Sequence, residues 1–229
     1  MGREAALVTS GEATVGLIGG TGPEGRGLAL RLAQAGVPVR IGSRRAERAA
    51  EAAADVRAAA PGAEVSGDVN LAVVEASEIV IVVVPFEGHG ATLMDLREAI
   101  GRKILIDAVV PLAFVDGVPG IEEVEEGSAT EQAQALLPEA RVVGAFHNLS
   151  AKKLQAIDTP IQGDVLITGD DAEAKAAVMA LAGRMSELRA IDAGPLAMSR
   201  FVEDLTALIL GINRRYKTQA AVRMVGIES

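Results

Sequence analysis

The chain has 229 residues, enough for one large domain or one with a small companion, and 49% are hydrophobic against 23% charged, an ordinary globular balance. It holds no Cys, no Trp, four Phe, one Tyr and two His, His89 and His147, which excludes disulfides, thiolate or iron–sulfur metal sites and a Cys nucleophile, and makes a poly-His metal site implausible. A formal charge of −9 argues against nucleic acid or an anionic membrane as partner.

Residues 1–13 carry charges and no apolar signal-peptide core, and read as a short tail before the fold. No apolar run is long enough to span a membrane, and the absence of Cys fits a cytoplasmic protein. Strand-length apolar runs then alternate with helical patterns, the mark of βαβ units and a parallel sheet. Strands are predicted at 14–18, 38–42, 79–84, 103–107 and 141–145, with helices at 24–36, 45–60, 89–100 and 128–137. The stretch 109–127, with its prolines, glycines and Glu122, Glu123, Glu125 and Glu126, reads as a solvated irregular segment or an active-site loop. Beyond residue 150 the pattern predicts a strand at 164–169, a helix at 170–185 capped by Asp170, a strand at 188–192 and a long helix at 195–216. In that last helix Phe201, Val202, Leu205, Leu208, Ile209 and Ile212 recur at helical period, which predicts core packing.

The first strand ends in Gly20-Thr21-Gly22-Pro23-Glu24-Gly25, a Gly-x-Gly-x-x-Gly that opens the first helix. In that context Gly20 serves the tight turn, Gly22 admits a pyrophosphate close to the backbone, and Gly25 allows close packing of helix on strand. Pro23 suits the first helical position, and the free N–H groups there attract phosphate. The second strand decides the dinucleotide. Where an NAD site carries an acid for the ribose hydroxyl, this chain has Ser43, Arg44 and Arg45, with Arg48 a turn later. Cations at a helix N-terminus oppose the macrodipole, and guanidinium forks fit phosphate, so NADP is expected rather than NAD.

Ligands of such sheets sit beyond the carboxyl ends of the strands. Val84, Pro85, Phe86 and His89 follow the third predicted strand, Val109 and Pro111 the fourth, and His147, Asn148 and Leu149 the fifth. Either His also suits a structural role, and His89 has the place of a residue that begins a helix.

With the segments VVVPFEGH, EGSATEQAQALLPEARVVGAFHN and DAGPLAMSRFVEDLTALIL added to the glycine loop, the chain from Thr14 to Ile227 resembles the coenzyme F420-dependent NADP oxidoreductases. That resemblance implies an α/β fold with a Rossmann-type doubly wound parallel sheet over residues 14–149 that binds NADP. A small C-terminal α/β domain, residues 150–229, would cover the cleft in which coenzyme F420 stacks. It further implies that Thr21, Ser43, Arg44 and Arg48 meet the 2′-phosphate, that Thr21, Gly22, Pro23 and Glu24 line the diphosphate loop, and that Val84, Pro85, Phe86, Val109, Pro111, His147, Asn148, Leu149 and Ala151 lie near the rings. His147 would position rather than transfer protons, no catalytic group or metal is required, and a homodimer is expected. For the acidic tail of F420, Arg200, Arg214, Arg215, Lys217 and Arg223 are candidates, although 214–217 equally well cap the last helix. A reductase of an imine, oxo acid or flavin, and a non-catalytic NADP sensor, are the alternatives.

Overall fold

The computed structural model describes residues 13–185 and 187–227. The expected tail lies outside them except for Ala13, which is buried. In chain order the strands are β1 (Val15–Ile18), β2 (Val39–Ser43), β3 (Val65–Val69), β4 (Ile79–Val82), β5 (Ile104–Asp107), β6 (Leu112–Val115), β7 (Val118–Ile121), β8 (Arg141–Gly144), β9 (Gly163–Gly169) and β10 (Leu188–Gly194). The helices are α1 (Pro23–Gln34), α2 (Ala46–Ala59), α3 (Asn70–Glu75), α4 (His89–Asp95), α5 (Arg97–Ile100), α6 (Ala129–Leu136), α7 (Ala151–Gln155), α8 (Ala172–Gly183) and α9 (Ser199–Tyr216).

Eight strands form one sheet in the order β3-β2-β1-β4-β5-β8-β9-β10, and β6 and β7 pair as a separate antiparallel hairpin. Every pair in the large sheet is parallel except β8 with β9. The strand order reverses at β1, between β2 and β4, which opens a crevice at the carboxyl ends of the strands. β9 meets β8 only through Val143 opposite Gly169 and Gly144 opposite Thr168. Residues 163–167 of β9, with β10 beside them, therefore extend beyond the carboxyl edge of β8. The C-terminal strands thus extend the same sheet.

Alternation along each strand supplies two cores. Val15, Leu17, Ile79, Ile81, Ile104 and Ile106 face α1, α2 and α8, while Ile18, Val80, Val82 and Leu105 face α3, α4 and α6. Burial on both faces explains why these strands read as continuous apolar runs. Each fully buried Leu or Ile contributes about 1.5–3 kcal/mol.

Several elements differ from expectation. The third predicted strand leaves the sheet at Val82, freeing Val83 and Val84 to line the crevice. The helix predicted at 89–100 breaks at Leu96 into α4 and α5. Asp171, not Asp170, caps α8, accepting from Ala174 N at 2.7 Å, while Asp170 accepts from Leu196 N. The last helix begins at Ser199, after a short 3₁₀ turn at Leu196–Met198. Its apolar stripe is not wholly core: Val202 is buried, but Phe201, Leu208 and Ile212 are exposed. The other face of α9 is needed to cover the crevice. The four glutamates of 122–126 are exposed, as a solvated segment should be.

Candidate active site

The turn after β1 is built by glycine. Gly19, one residue earlier than expected, takes the left-handed conformation with φ +76°, and Gly20 N donates to Gly42 O at 3.1 Å, tying the turn to β2. A Cβ on Gly25 would fall 2.6 Å from Gly20 Cα, so only glycine lets α1 approach the turn this closely. Gly22 caps α1 without any side-chain acceptor, whereas Ser128, Ser150 and Asp171 cap α6, α7 and α8 with side-chain oxygens. The first N–H groups of α1 are therefore left to a ligand.

This turn forms the floor of a groove of about 890 Å³ that runs from Arg44, Arg45 and Arg48 past Thr21 and Gly22 to Val83, Val84 and Pro85. Ser43 Oγ accepts from Arg45 N at 3.3 Å, which holds the basic corner in shape. Arg44 and Arg48 are exposed and have no ion-pair partner among the described residues.

A second cavity of about 390 Å³ adjoins the groove and shares Glu24, Val83 and Val84 with it. Its walls come from the β5 end (Ala108, Val109, Val110), the β8 end (His147, Asn148, Leu149), α7 and α9. Phe146, fully buried, adopts φ 71° and turns the chain sharply after β8. Such a conformation costs a bulky residue about 1–3 kcal/mol. It keeps the next three residues buried at the strand end. Asn148 Nδ2 donates to Val202 O and Thr206 Oγ1, and Thr206 Oγ1 donates to His147 O, which fastens this corner to α9.

Behind the cavity lie buried polar groups. Asp107 Oδ1 accepts from Val109 N at 2.9 Å and so shapes the β5 end, while Oδ2 lies 2.7 Å from His89 Nε2. Burial would lower the His89 pKa, but Asp107 beside it outweighs burial and holds the imidazole above its usual value. The other ring nitrogen faces Gln132 Oε1 at 3.1 Å, so both nitrogens meet acceptors, as a protonated ring requires. Glu203 reaches from α9 to the start of α6, accepting from Ala129 N, Thr130 N and Thr130 Oγ1; burial pushes its pKa up to about 7. Thr130 spends its hydroxyl proton on Glu203, and its oxygen lies 3.5 Å from His147 Nε2. His147 Nδ1 is enclosed without a partner, and burial lowers this pKa to about 4, so the ring is neutral. The neutral ring thus carries one proton, which the Thr130 oxygen facing Nε2 can accept, and keeps a buried lone pair on Nδ1.

A family model described as NADP oxidoreductase coenzyme F420-dependent matches residues 14–111. The F420-dependent NADP reductase of Methanocaldococcus jannaschii is 35% identical over 93% of this chain and 99% of its own. That of Methanothermobacter marburgensis is 38% identical over 93% and 98%. The chain belongs to the F420-dependent NADP reductase family. Among solved structures, a putative F420-dependent NADP reductase from Arthrobacter sp. FB24 superposes with TM-score 0.79 at 26% identity, covering 94% of this chain and all of that one.

Within this family member the expected residues fall into three groups. Thr21, Gly22, Pro23, Glu24, Gly25, Ser43, Arg44, Arg48, Val84 and Pro85 line the groove, and Val109, His147, Asn148, Leu149 and Ala151 line the inner cavity. Gly20, Phe86 and Pro111 line neither. Gly20 lies beneath the turn, the Phe86 ring stacks on His89 with centroids 6.1 Å apart, and Pro111 is buried with its carbonyl accepting from Glu122 N. Sequence reasoning missed Asn70 and Thr92 in the groove and Thr206, Leu210 and Asn213 in the cavity. The last three were detectable, since 206, 210 and 213 recur at helical spacing as a second stripe on α9. None of the cations proposed for an acidic tail lines the cavity. Arg200 reaches Glu131 at 3.6 Å and Arg214 lies 5.1 Å from the Phe114 ring, whereas Lys152 of α7 does line it.

Proposed function

We propose that this chain transfers a hydride between NADP(H), held in the groove, and coenzyme F420, held in the inner cavity. One observation carries this reading: the two cavities share a wall made by Val83, Val84 and Glu24. A protein that only senses NADP has no need of the second cavity. The residues fit both molecules. Uncapped N–H groups at α1 and unpaired arginines would meet the phosphates, and largely apolar strand ends would meet the rings. When bound, the nicotinamide and the deazaflavin supply the redox chemistry themselves. The protein orients, excludes water and brings donor to acceptor, an arrangement requiring about 3–3.5 Å between reacting atoms. His147 and Asn148 position the acceptor ring, Ala151 borders it, and Lys152 meets its acidic tail. Residues 14–149 hold NADP, and residues 150–229 cover F420.

Mixing NADPH with oxidised F420 and the protein bleaches the visible absorbance of the deazaflavin, while FMN and riboflavin are left largely unreduced. Folded protein that leaves F420 unchanged overturns the reading.

We also assign the chain to the cytoplasm, as its lack of Cys favours, and to a homodimer. Among the described residues no helix is long and apolar enough to cross a membrane. The dimer reading is supported by exposed apolar residues on two packed elements, Phe114, Val115 and Val118 on the hairpin, whose β7 packs on α9, and Leu208, Ile212 and Tyr216 on that helix. Equilibrium sedimentation should then give twice the chain mass of 23.5 kDa, and the double variant Leu208→Asp, Ile212→Asp should sediment as one chain. A monomeric wild type excludes the dimer.

A further inference from the structure

Only Glu24, Val83 and Val84 line both cavities, and of these only Glu24 can ionise. It lies in the first turn of α1, next to the glycine turn. Its Oε1 is enclosed and finds no hydrogen-bond partner in the described residues. Among the described residues no cation is paired with it. Burial alone pushes this carboxyl up to about 8, so it is an uncharged acid at neutral pH.

The order of groups along the groove fixes what Glu24 faces. The adenosine end belongs to Ser43, Arg44 and Arg48, and the diphosphate to Thr21 and Gly22. The remaining end, at Val83 and Val84, receives the nicotinamide and opens into the inner cavity. We infer that Glu24 discriminates between the oxidation states of the bound dinucleotide: its carboxylate attracts the positively charged oxidised nicotinamide, and its neutral acid treats oxidised and reduced forms alike. The inference rests on the NADP reading above.

The sign follows from linkage. Below pH 8 the acid is neutral and the ratio of the two affinities is constant. Above pH 8 the carboxylate strengthens NADP⁺ binding relative to NADPH, and reciprocally NADP⁺ binding expels the proton. The other charged groups around the two cavities are Arg44, Arg45 and Arg48 from the β2–α2 corner, Lys152 from α7, and Arg26 of α1 itself, which is paired with Asp55. They and the 2′-phosphate are common to both complexes and cancel in the ratio. His147, from the β8 end, titrates at about 4, outside the range.

The test is a calorimetric titration of the full-length protein with NADP⁺ and with NADPH at pH 6.5, 7.5, 8.5 and 9.5. For wild type, the ratio of the NADP⁺ Kd to the NADPH Kd should fall about tenfold across this range, as expected for one charge at close approach in a partly solvated site. Titrations near pH 8 in two buffers of different ionisation enthalpy should show proton release with NADP⁺ and less with NADPH. In Glu24→Gln, and in Glu24→Met should the first fold poorly, the ratio should stay flat and the release vanish. A wild-type ratio that does not move with pH, or one that moves equally in the variants, overturns the inference while leaving the NADP reading intact. Failure of wild type to bind either nucleotide overturns both.

Discussion

Replacing Arg44 by alanine should weaken NADP binding about thirtyfold and leave NAD binding nearly unchanged, erasing most of the preference between them. Arg44 is exposed and has no ion-pair partner among the described residues, so its charge is not already spent within the protein. A charge-assisted bond to phosphate contributes about 1.5–3 kcal/mol, and solvent at this rim holds the loss near 2 kcal/mol, or roughly thirtyfold. Ser43 and Arg48 flank the same corner and keep a residual preference. Fluorescence titration with NADPH and NADH, each with wild type and variant, measures all four affinities. Equal losses for both nucleotides would show that Arg44 supports the groove without reading the 2′-phosphate.

The largest effect on stability is expected at Arg31. This buried guanidinium, on the inner face of α1, donates to Leu154 O, Lys153 O, Ala156 O and Thr159 O, all between 2.7 and 2.9 Å. It thereby pairs Leu154 O at the end of α7 and Thr159 O in the turn beyond, and adds a second donor to Lys153 O and Ala156 O, which already accept from Ala156 N and Thr159 N. α1 comes close enough for this because residue 27 is glycine, where a Cβ would meet Leu154 Cβ at 2.5 Å. Arg31→Leu keeps the apolar stem but takes the guanidinium donors from Leu154 O and Thr159 O, while Lys153 O and Ala156 O still accept from Ala156 N and Thr159 N. The cost should be about 2–4 kcal/mol, which for a chain of this length lowers Tm by roughly 10 °C. Because α7 lines the inner cavity, KM for F420 should also rise while NADP affinity changes little. Thermal melts with steady-state kinetics check both parts, and a Tm within 2 °C of wild type would contradict the capping role.

Much of this architecture was legible in the sequence because its signals are local. The glycine turn, its flanking strands and the basic corner lie within about thirty residues of one βαβ unit, and strands buried on both faces announce themselves as apolar runs. What escaped had weak or distant signals. β3 reads V-S-G-D-V at the sheet edge, with one buried residue and no apolar run. The β6–β7 hairpin did carry a cue, Asp116-Gly117, both left-handed as its tight turn demands, but the surrounding prolines and glutamates masked it. Arg31 looks like any surface cation on a helix until α7, over a hundred residues later, packs beside it. In α9 two stripes overlap, one outward and one over the cavity, and periodicity alone does not say which is buried.

The separate stretches of chain that line the groove and the inner cavity bear on the order in which the molecule is made. Every residue that lines the groove at the glycine turn lies between Gly19 and Thr92, whereas the lining of the inner cavity extends to Ala220. On the ribosome, where folding proceeds from the N-terminus, the residues of the groove therefore emerge first. The inner cavity is complete only once the chain as far as Ala220 has followed.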